Sequence, residues 1–359
     1  VYFLKSDSKS LIERLCLSVR GESVTTPFGL ESLDGALEAD LRSGLDRVEV
    51  RLREAVKSQD SFVAEAASYL VEAGGKRFRP LLTLLGAQFG DPHRAEVIDA
   101  AAVVEITHLA TLYHDDVMDE APLRRGAASA NSRWDNSVAI LTGDFLFARA
   151  SQILADLGPD AVRIQALTFE ELVSGQIRET IGPREGEDPI HHYLEVVAEK
   201  TGSLIATSGL FGAIFSGAPV PIQEAMRAFG ASIGIAFQLS DDVLDVASES
   251  SESGKTPGTD LREGVLTLPV LQALAIDDAD AREIGRLIGP DLAQVSEAEV
   301  DQRVEQALVM LRQHEGMNLA RAELSRCAVS ARELLVPLPD CAAKEALAAL
   351  TDVVVSRSV

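Results

Sequence analysis

Cysteine is thinly used: Cys16, Cys327 and Cys341 stand far apart among 359 residues, and no C-x-x-C occurs. That argues against a zinc site and against a disulfide framework, and leaves an intracellular, reducing, cytoplasmic setting as the expectation. Basic residues are also short, 33 Lys and Arg against 56 Asp and Glu, for a formal net charge of -23. A phosphate backbone demands a basic face, so nucleic acid is excluded as a partner, and electrostatic docking on anionic lipid is disfavoured too. No run of 18 or more apolar residues exists, so no transmembrane helix is expected. The opening VYFLKSDSKSLIERLCLSVRGES has apolar segments too short and too charge-broken for a signal peptide. Residues 1–30 therefore read as a poorly ordered N-terminal extension. Alternating, strand-like segments and short repeats are missing as well.

What is present is helical pattern almost throughout. LDGALEADLRSGLDRVEVRLREAVKS repeats Leu and Val at three- and four-residue spacing with charges between, as an amphipathic helix does. EVIDAAAVVEITHLATLYHDDVMDE and AMRAFGASIGIAFQLSDDVLDVA are apolar nearly all round, which marks helices buried inside a bundle. Breaks fall at GGKRFRP, GPREGEDP, GAPVP and SESSESGKTPGTD. One all-α domain over residues 31–359 is the expectation, with the serine-rich stretch 248–254 as its mobile loop. SESGKT is not a P-loop: the motif needs glycine at position 249, which is Glu249, and no strand precedes it.

Two clusters carry the chemistry. Asp115 and Asp119 are four apart and share a helix face, while Asp116 lies about 100° around the axis. Asp241, Asp242 and Asp245 repeat the arrangement after a second apolar run. A solvated helix end would explain either cluster alone; two D-D-x-x-D clusters, each closing an apolar helix, call for a shared cation. Oxygen-only donors of this kind suit Mg²⁺, which binds through one or two carboxylates while substrate phosphates complete its octahedron. An EF-hand calcium loop would need alternating ligands around a glycine turn.

Cations that could meet such phosphates cluster against the acidic background: Lys76, Arg77 and Arg79 in GGKRFRP, then Arg124 and Arg125, Lys200 and Lys255. Arginine forks match phosphate oxygens and lysine supplies a point charge. His108 lies two helical turns before Asp115, and His114 directly before it; for each, a structural role stands beside a functional one. No Ser-His-Asp or Cys-His spacing is recognisable. The equipment binds diphosphate and does not build a covalent intermediate.

In order, GGKRFRP, LYHDDVMDEAPLRRG, GDFLFARA, EKTGSL, FQLSDDVLD and GKTPGTDLREGVLTLP resemble the signature blocks of the trans-isoprenyl diphosphate (polyprenyl) synthases, over roughly residues 70–270. The resemblance implies antiparallel helices around a deep central cavity, a homodimer, and aspartate clusters facing each other across the cavity mouth. By the same resemblance Asp115 and Asp119 hold two Mg²⁺ and Asp241 a third, with Asp116, Asp242 and Asp245 supporting. Arg124, Lys200, Gln238 and Lys255, with the Thr201 hydroxyl nearby, would hold the allylic diphosphate. Lys76, Arg79, His108 and Arg125 would hold isopentenyl diphosphate. The implied reaction ionises the allylic C–O bond, adds the isopentenyl double bond to the cation, and lets the released diphosphate take the proton; Asp115, Asp119, Asp241, Arg124 and Lys200 carry the ionisation.

One departure stands out. Many members carry lysine after Glu-Gly where this chain has Val265, so an allylic-diphosphate cation is missing unless Arg262 replaces it. Product length is the further expectation. Thr111 and Ala110 lie about 6 and 7.5 Å deeper than Asp115 at 1.5 Å per residue, where short-chain members place aromatics. Both are small here, as are Thr107, Val103 and Ala102. Products longer than geranylgeranyl, hexaprenyl to decaprenyl, follow, unless Phe145 or Phe147 closes the cavity from a neighbouring helix. The competing readings are a class I terpene cyclase, disfavoured by GGKRFRP and the second D-D-x-x-D, and a noncatalytic or partner-dependent subunit, disfavoured by two complete clusters.

Overall fold

Aspartates start several of the helices. Asp34, Asp60, Asp135, Asp188 and Asp278 each accept a backbone N–H as N-caps of five separate helices. Each such cap is worth about 1 kcal/mol by offering an acceptor to a donor that the helix itself leaves unpaired. The computed structural model describes residues 34–248 and 257–356. The extension 1–30 and Lys255 lie outside the described residues, as does the serine-rich stretch apart from Ser248.

The described chain is helical, as its periodicity predicts. The first helices are α1 (Gly35–Ala55), α2 (Ser61–Glu72), α3 (Phe78–Ala87) and α4 (Ala95–Met118). After them come α5 (Ala130–Arg133), α6 (Asn136–Leu157), α7 (Pro159–Ile181) and α8 (Pro189–Val197). A π-helical turn, Ala198–Gly202, runs on into α9 (Ser203–Phe215), and α10 (Val220–Ala247) follows. The remainder is α11 (Thr259–Arg262), α12 (Leu268–Leu274), α13 (Ala279–Leu287), α14 (Glu297–Gln313), α15 (Glu315–Glu333) and α16 (Ala342–Ser356).

One short element interrupts the helices. Between α4 and α5 the strands β1 (Leu123–Arg124) and β2 (Ala127–Ala128) form an antiparallel hairpin, with Leu123 opposite Ala128 and Arg124 opposite Ala127. Two-residue strands are too short to show alternation in sequence. The turn residues Arg125 and Gly126 both have positive φ, 54° and 78°, as a two-residue hairpin turn matched to strand twist requires.

Contacts group the chain into two compact units. The described residues of the first are 34–168, 204–230 and 335–353. Its centre is α4, buried nearly all round, which packs most extensively on α6 and also on α1 and α3. Close approach there is set by small residues. A Cβ on Gly212 of α9 would meet the Thr83 carbonyl oxygen of α3 at 2.0 Å, so only glycine fits. By length and composition α6 is the one described helix apolar enough to cross a membrane; it also carries Asp144 and Arg149, and its buried face packs on α4. The second unit holds described residues 169–203, 231–248, 257–334 and 354–356. In it α12 packs on α15, and α14 on α13 and α15.

Candidate active site

The last turn of α4 separates its three aspartates. Asp116 points inward and has no exposed surface, while Asp115 is half-buried and Asp119 is exposed. Asp119 closes the helix, its N–H bonding the Asp115 carbonyl at 2.8 Å. Glu120 then turns back with φ 48°, and Ala121 N–H reaches the Asp116 carbonyl at 3.1 Å. This is a Schellman ending with glutamate in the position glycine usually takes. The buried Asp116 carboxylate is fully employed. It accepts from Arg124 Nε at 2.5 Å and from the Ala130 N–H at 3.4 Å, fastening the hairpin to the end of α4. Arg124 Nη2 also lies 4.0 Å from Asp119.

The neighbouring arginine goes elsewhere. Arg125 donates from Nη1 to the Leu70 carbonyl at 2.9 Å and to the Gly74 carbonyl, which ties the hairpin turn to the GGKRFRP loop. Tyr69 adds a second tie, its hydroxyl donating to the Ala128 carbonyl at 2.7 Å. Gly75 leaves room for this arginine: a Cβ there would sit 3.0 Å from the Arg125 guanidinium and press on it.

The loop itself sorts its cations. Arg77, in left-handed conformation at the start of α3 (φ 50°), is buried. It forks onto Glu49 (2.5 and 3.3 Å), donates to Glu105 at 2.8 Å and to the Val71 carbonyl at 3.0 Å. Arg77 is thus structural. Lys76 is exposed, and Arg79 is half-buried with its Nε shielded from water and without a hydrogen-bond partner. Burial, opposed by Glu105 and reinforced by Arg125, lowers Arg79 to about 10. Burial likewise lowers Arg125, against the pull of Glu105. His108, on α4, is held well below its ordinary value, first by burial and then by Arg79, Arg125, Arg77 and Arg124. It is a neutral imidazole among guanidiniums. Three of the four residues expected to hold isopentenyl diphosphate, Arg79, His108 and Arg125, are therefore electrostatic neighbours, and Lys76 lies on the same loop.

His114 is structural. Its Nε2 contacts the Ile140 carbonyl at 3.1 Å, its ring lies 5.9 Å from that of Phe147, and Gly143 leaves the space it occupies.

In the second unit the middle aspartate again turns inward. Asp242 is buried and accepts from the Tyr193 hydroxyl and from Gln238 Nε2 at 2.8 Å. Burial raises its carboxyl to about 7, opposed by these two bonds and reinforced by Asp241 and Asp245. Asp241 is half-buried. Asp245 accepts from the backbone N–H groups of Thr259 (3.2 Å) and Asp260 (3.3 Å), which fixes the start of α11. Thr201 donates to Gln238 Oε1 at 3.2 Å, so Thr201, Gln238, Asp242 and Tyr193 form one chain of hydrogen bonds. Lys200 sits in the π-helical turn and donates to Glu179 at 2.5 Å. Such turns recur where a helix must aim side chains for function. Gly175 of α7 lets that helix close on the turn; a Cβ would lie 2.7 Å from the Lys200 nitrogen.

Arg262, weighed as a replacement for the cation missing at Val265, is engaged by other partners. Its Nε donates to Asp301 at 2.9 Å and its Nη1 to the Pro257 carbonyl, both within the second unit.

Along α4 the residues weighed for product length divide. Thr111 is half-buried and its hydroxyl bonds the His108 carbonyl at 2.8 Å. Ala110 and Thr107 have no exposed surface, and Thr107 accepts from Gln165 Nε2 at 2.9 Å. The accessible stripe runs Asp115, Thr111, His108, and closes at Val104. Phe145 and Phe147 are both half-buried on α6.

Sequence reasoning missed Glu49, Glu105, Glu179 and Tyr193. Glu105 carried a signal: a lone carboxylate amid Val-Val and Ile-Thr in an all-round apolar helix must find a cationic partner. Among the described residues no three His, Cys, Asp or Glu side chains form a ready-made metal cage. The donor chemistry still fits a hard cation: outer aspartates with solvent access and oxygen-only donors.

Comparison with known proteins gives a consistent set of similarities. The family model described as polyprenyl synthetase matches residues 60–307. A nonaprenyl diphosphate synthase of Mycobacterium tuberculosis (strain ATCC 25618 / H37Rv) is 49% identical over 335 residues, 93% of this chain and 98% of the relative. The crystal structure of a geranylgeranyl pyrophosphate synthase from Corynebacterium glutamicum, complexed with calcium and isoprenyl diphosphate, superposes with TM-score 0.80 at 46% identity, covering 90% of this chain and 98% of that one. A decaprenyl diphosphate synthase from Rhodobacter capsulatus gives TM-score 0.80 at 33% identity, over 90% and 99%. The all-α fold is the one these synthases share.

Proposed function

Because this chain belongs to the polyprenyl synthetase family, we propose that it condenses isopentenyl diphosphate with an allylic diphosphate into an all-E polyprenyl diphosphate longer than C20. The metal is Mg²⁺, three ions per active site, with Asp115, Asp119 and Asp241 as protein ligands and Asp116, Asp242 and Asp245 as their supports. The observation that carries this is the split within each cluster: the middle aspartate is buried and bonded to protein, and the first retains solvent access.

Arg124, Lys200, Gln238 and Lys255, with Thr201 beside them, bind the allylic diphosphate and take up charge as it departs. Bound Mg²⁺ would supply the Lewis acidity that makes this diphosphate a leaving group. Arg79, Arg125, Lys76 and His108 hold isopentenyl diphosphate so that its double bond meets the allylic cation. Neutral His108 serves as a hydrogen-bond partner, not a charge. The released diphosphate accepts the proton, so no carboxylate is assigned as base. Val265 leaves the allylic site one cation short of the usual family set, which weakens diphosphate binding without removing the reaction.

The same reading includes a homodimer and a cytoplasmic location. Exposed apolar side chains on α6 and the first part of α7, Ile140, Leu141 and Leu167, support the dimer, and the thin cysteine usage supports the compartment.

Incubating the purified protein with Mg²⁺, labelled isopentenyl diphosphate and allylic primers of several lengths tests the whole reading, with a chelator arm as control. Metal-dependent elongation is expected. A cyclic hydrocarbon without isopentenyl incorporation would make it a cyclase, and elongation only with an added partner would make it one subunit of a heteromer.

A further inference from the structure

Glu105 is the most deeply buried acidic side chain of α4 apart from Asp116, with a relative exposure of 2%. A lone carboxylate in such a place is costly, and it persists only where cations repay the lost hydration. Its direct partner is Arg77 Nη1 at 2.8 Å, yet Arg77 is already forked onto Glu49 and bonded to the Val71 carbonyl. One carboxylate more than Arg77 needs is thus present, and its field falls on the two cations beside it. Arg125 Nη2 lies 3.9 Å from Glu105, and Glu105 is the leading opposite charge acting on Arg79 as well as Arg125. Three guanidiniums, of Arg77, Arg79 and Arg125, share two carboxylates, Glu49 and Glu105. The Arg79 Nε is buried and without a hydrogen-bond partner. The group is one anion short, with a donor left over to receive it.

We propose that Glu105 is a positioning residue of the isopentenyl-diphosphate subsite: without touching substrate, it anchors the Gly74–Arg79 loop through Arg77 and orients the Arg125 guanidinium across from that loop. This rests on the assignment of Arg79 and Arg125 to that subsite. Geometry gives the role its direction. Arg125 hangs from the hairpin turn, and its Nη1 bonds go to the Leu70 and Gly74 carbonyls. Glu105 draws on Nη2, the other arm of the fork, by charge at 3.9 Å. The two carbonyl bonds hold one arm and the Glu105 charge biases the other, and a planar fork matches phosphate oxygens bidentately when so oriented.

Glu105→Gln keeps the shape and removes the charge. The expected result is a rise in KM for isopentenyl diphosphate of about ten- to thirtyfold, the size of losing one charge-assisted hydrogen bond. KM for the allylic primer and kcat at saturation stay within about twofold, because an interaction lost equally in ground and transition states changes KM alone. Calorimetric titration of isopentenyl diphosphate into the metal-free protein reads the same loss directly. Glu105→Asp, which keeps the charge but withdraws it, gives an intermediate value and serves alone if the glutamine variant does not fold. A purely structural role would lower the yield and melting temperature of Glu105→Gln while the folded fraction kept the parental KM; that result, or a tighter KM, overturns the proposal. If the parent protein itself incorporates no isopentenyl unit, the reaction assignment fails instead.

Discussion

Placing phenylalanine at Thr111 or at Ala110 should have opposite consequences, although the two positions are adjacent and both small. Thr111 belongs to the accessible stripe of α4 with Asp115 and His108, about 6 Å below Asp115 along the axis. Ala110 has no exposed surface. A prenyl unit extends about 5 Å, from four skeletal carbon–carbon bonds of ordinary length. A phenyl ring at 111 therefore meets the growing chain after one or two units. Forcing the chain past it resembles overpacking a filled interior, at about 1–3 kcal/mol, or roughly a 5- to 150-fold penalty on each further addition. Thr111→Phe should cut products back to about C10–C15, one addition past the point of contact, with little change in stability, since only the Thr111 hydroxyl bond to the His108 carbonyl is lost. Ala110→Phe should instead spend a similar 1–3 kcal/mol on displacing packed neighbours, lowering the melting temperature by about 2–12 °C for a unit of this size. Thin-layer or liquid chromatography of dephosphorylated products, paired with calorimetric melting, reads both variants. If Ala110→Phe shortens products with an undiminished melting temperature while Thr111→Phe leaves them long, the inference from the accessible stripe is wrong.

Two further outcomes follow from buried titratable groups. His108 is held neutral by burial and by Arg79, Arg125, Arg77 and Arg124, so its folded-state value lies below its unfolded value near 6.5. Its contribution to stability is fully present above about pH 6.5 and is lost as pH falls below it, because only the unfolded chain gains the proton. Chemical denaturation between pH 7.5 and 5.5 should show a steeper decline for the parent than for His108→Gln; parallel curves refute this. Cys327 is buried and its thiol is pushed up to about 11, whereas Cys341 is exposed. At pH 8 about a thousandth of Cys327 is thiolate, so peptide mapping after brief alkylation should find Cys341 modified and Cys327 largely intact. Equal labelling would show that α15 opens far more readily than its packing implies.

The helices and both aspartate clusters were legible because their information is local. A 3.6-residue period and a four-residue carboxylate spacing are properties of one segment. GGKRFRP was legible as a group of cations, but its internal division was not. Whether Arg77 or Arg79 faces a ligand depends on Glu49 and Glu105, 28 residues away on either side of Arg77. The same holds for the π-helical turn around Lys200, which depends on α7 approaching at Gly175. Tyr193 reads as an ordinary amphipathic position until it is found on Asp242, 49 residues further on. Arg262 looked like a substitute cation because it is near Val265 in sequence; its partner Asp301 is 39 residues away.

The hairpin at 123–128 has a consequence for how this gene can vary. Two identical residues in a row, Arg124 and Arg125, are sent to different partners solely by their positions relative to a two-residue turn: the first to Asp116, the second to the loop before α3. Side-chain identity at the neighbouring positions is loosely constrained, since Leu123 is largely exposed and Ala127 and Ala128 contribute mainly backbone. Length is not. Inserting or deleting one residue would put both arginines out of register with their partners, leaving Asp116 buried without its cation and the Leu70 and Gly74 carbonyls without Arg125. Natural variation in this stretch should therefore be rich in substitutions and empty of indels.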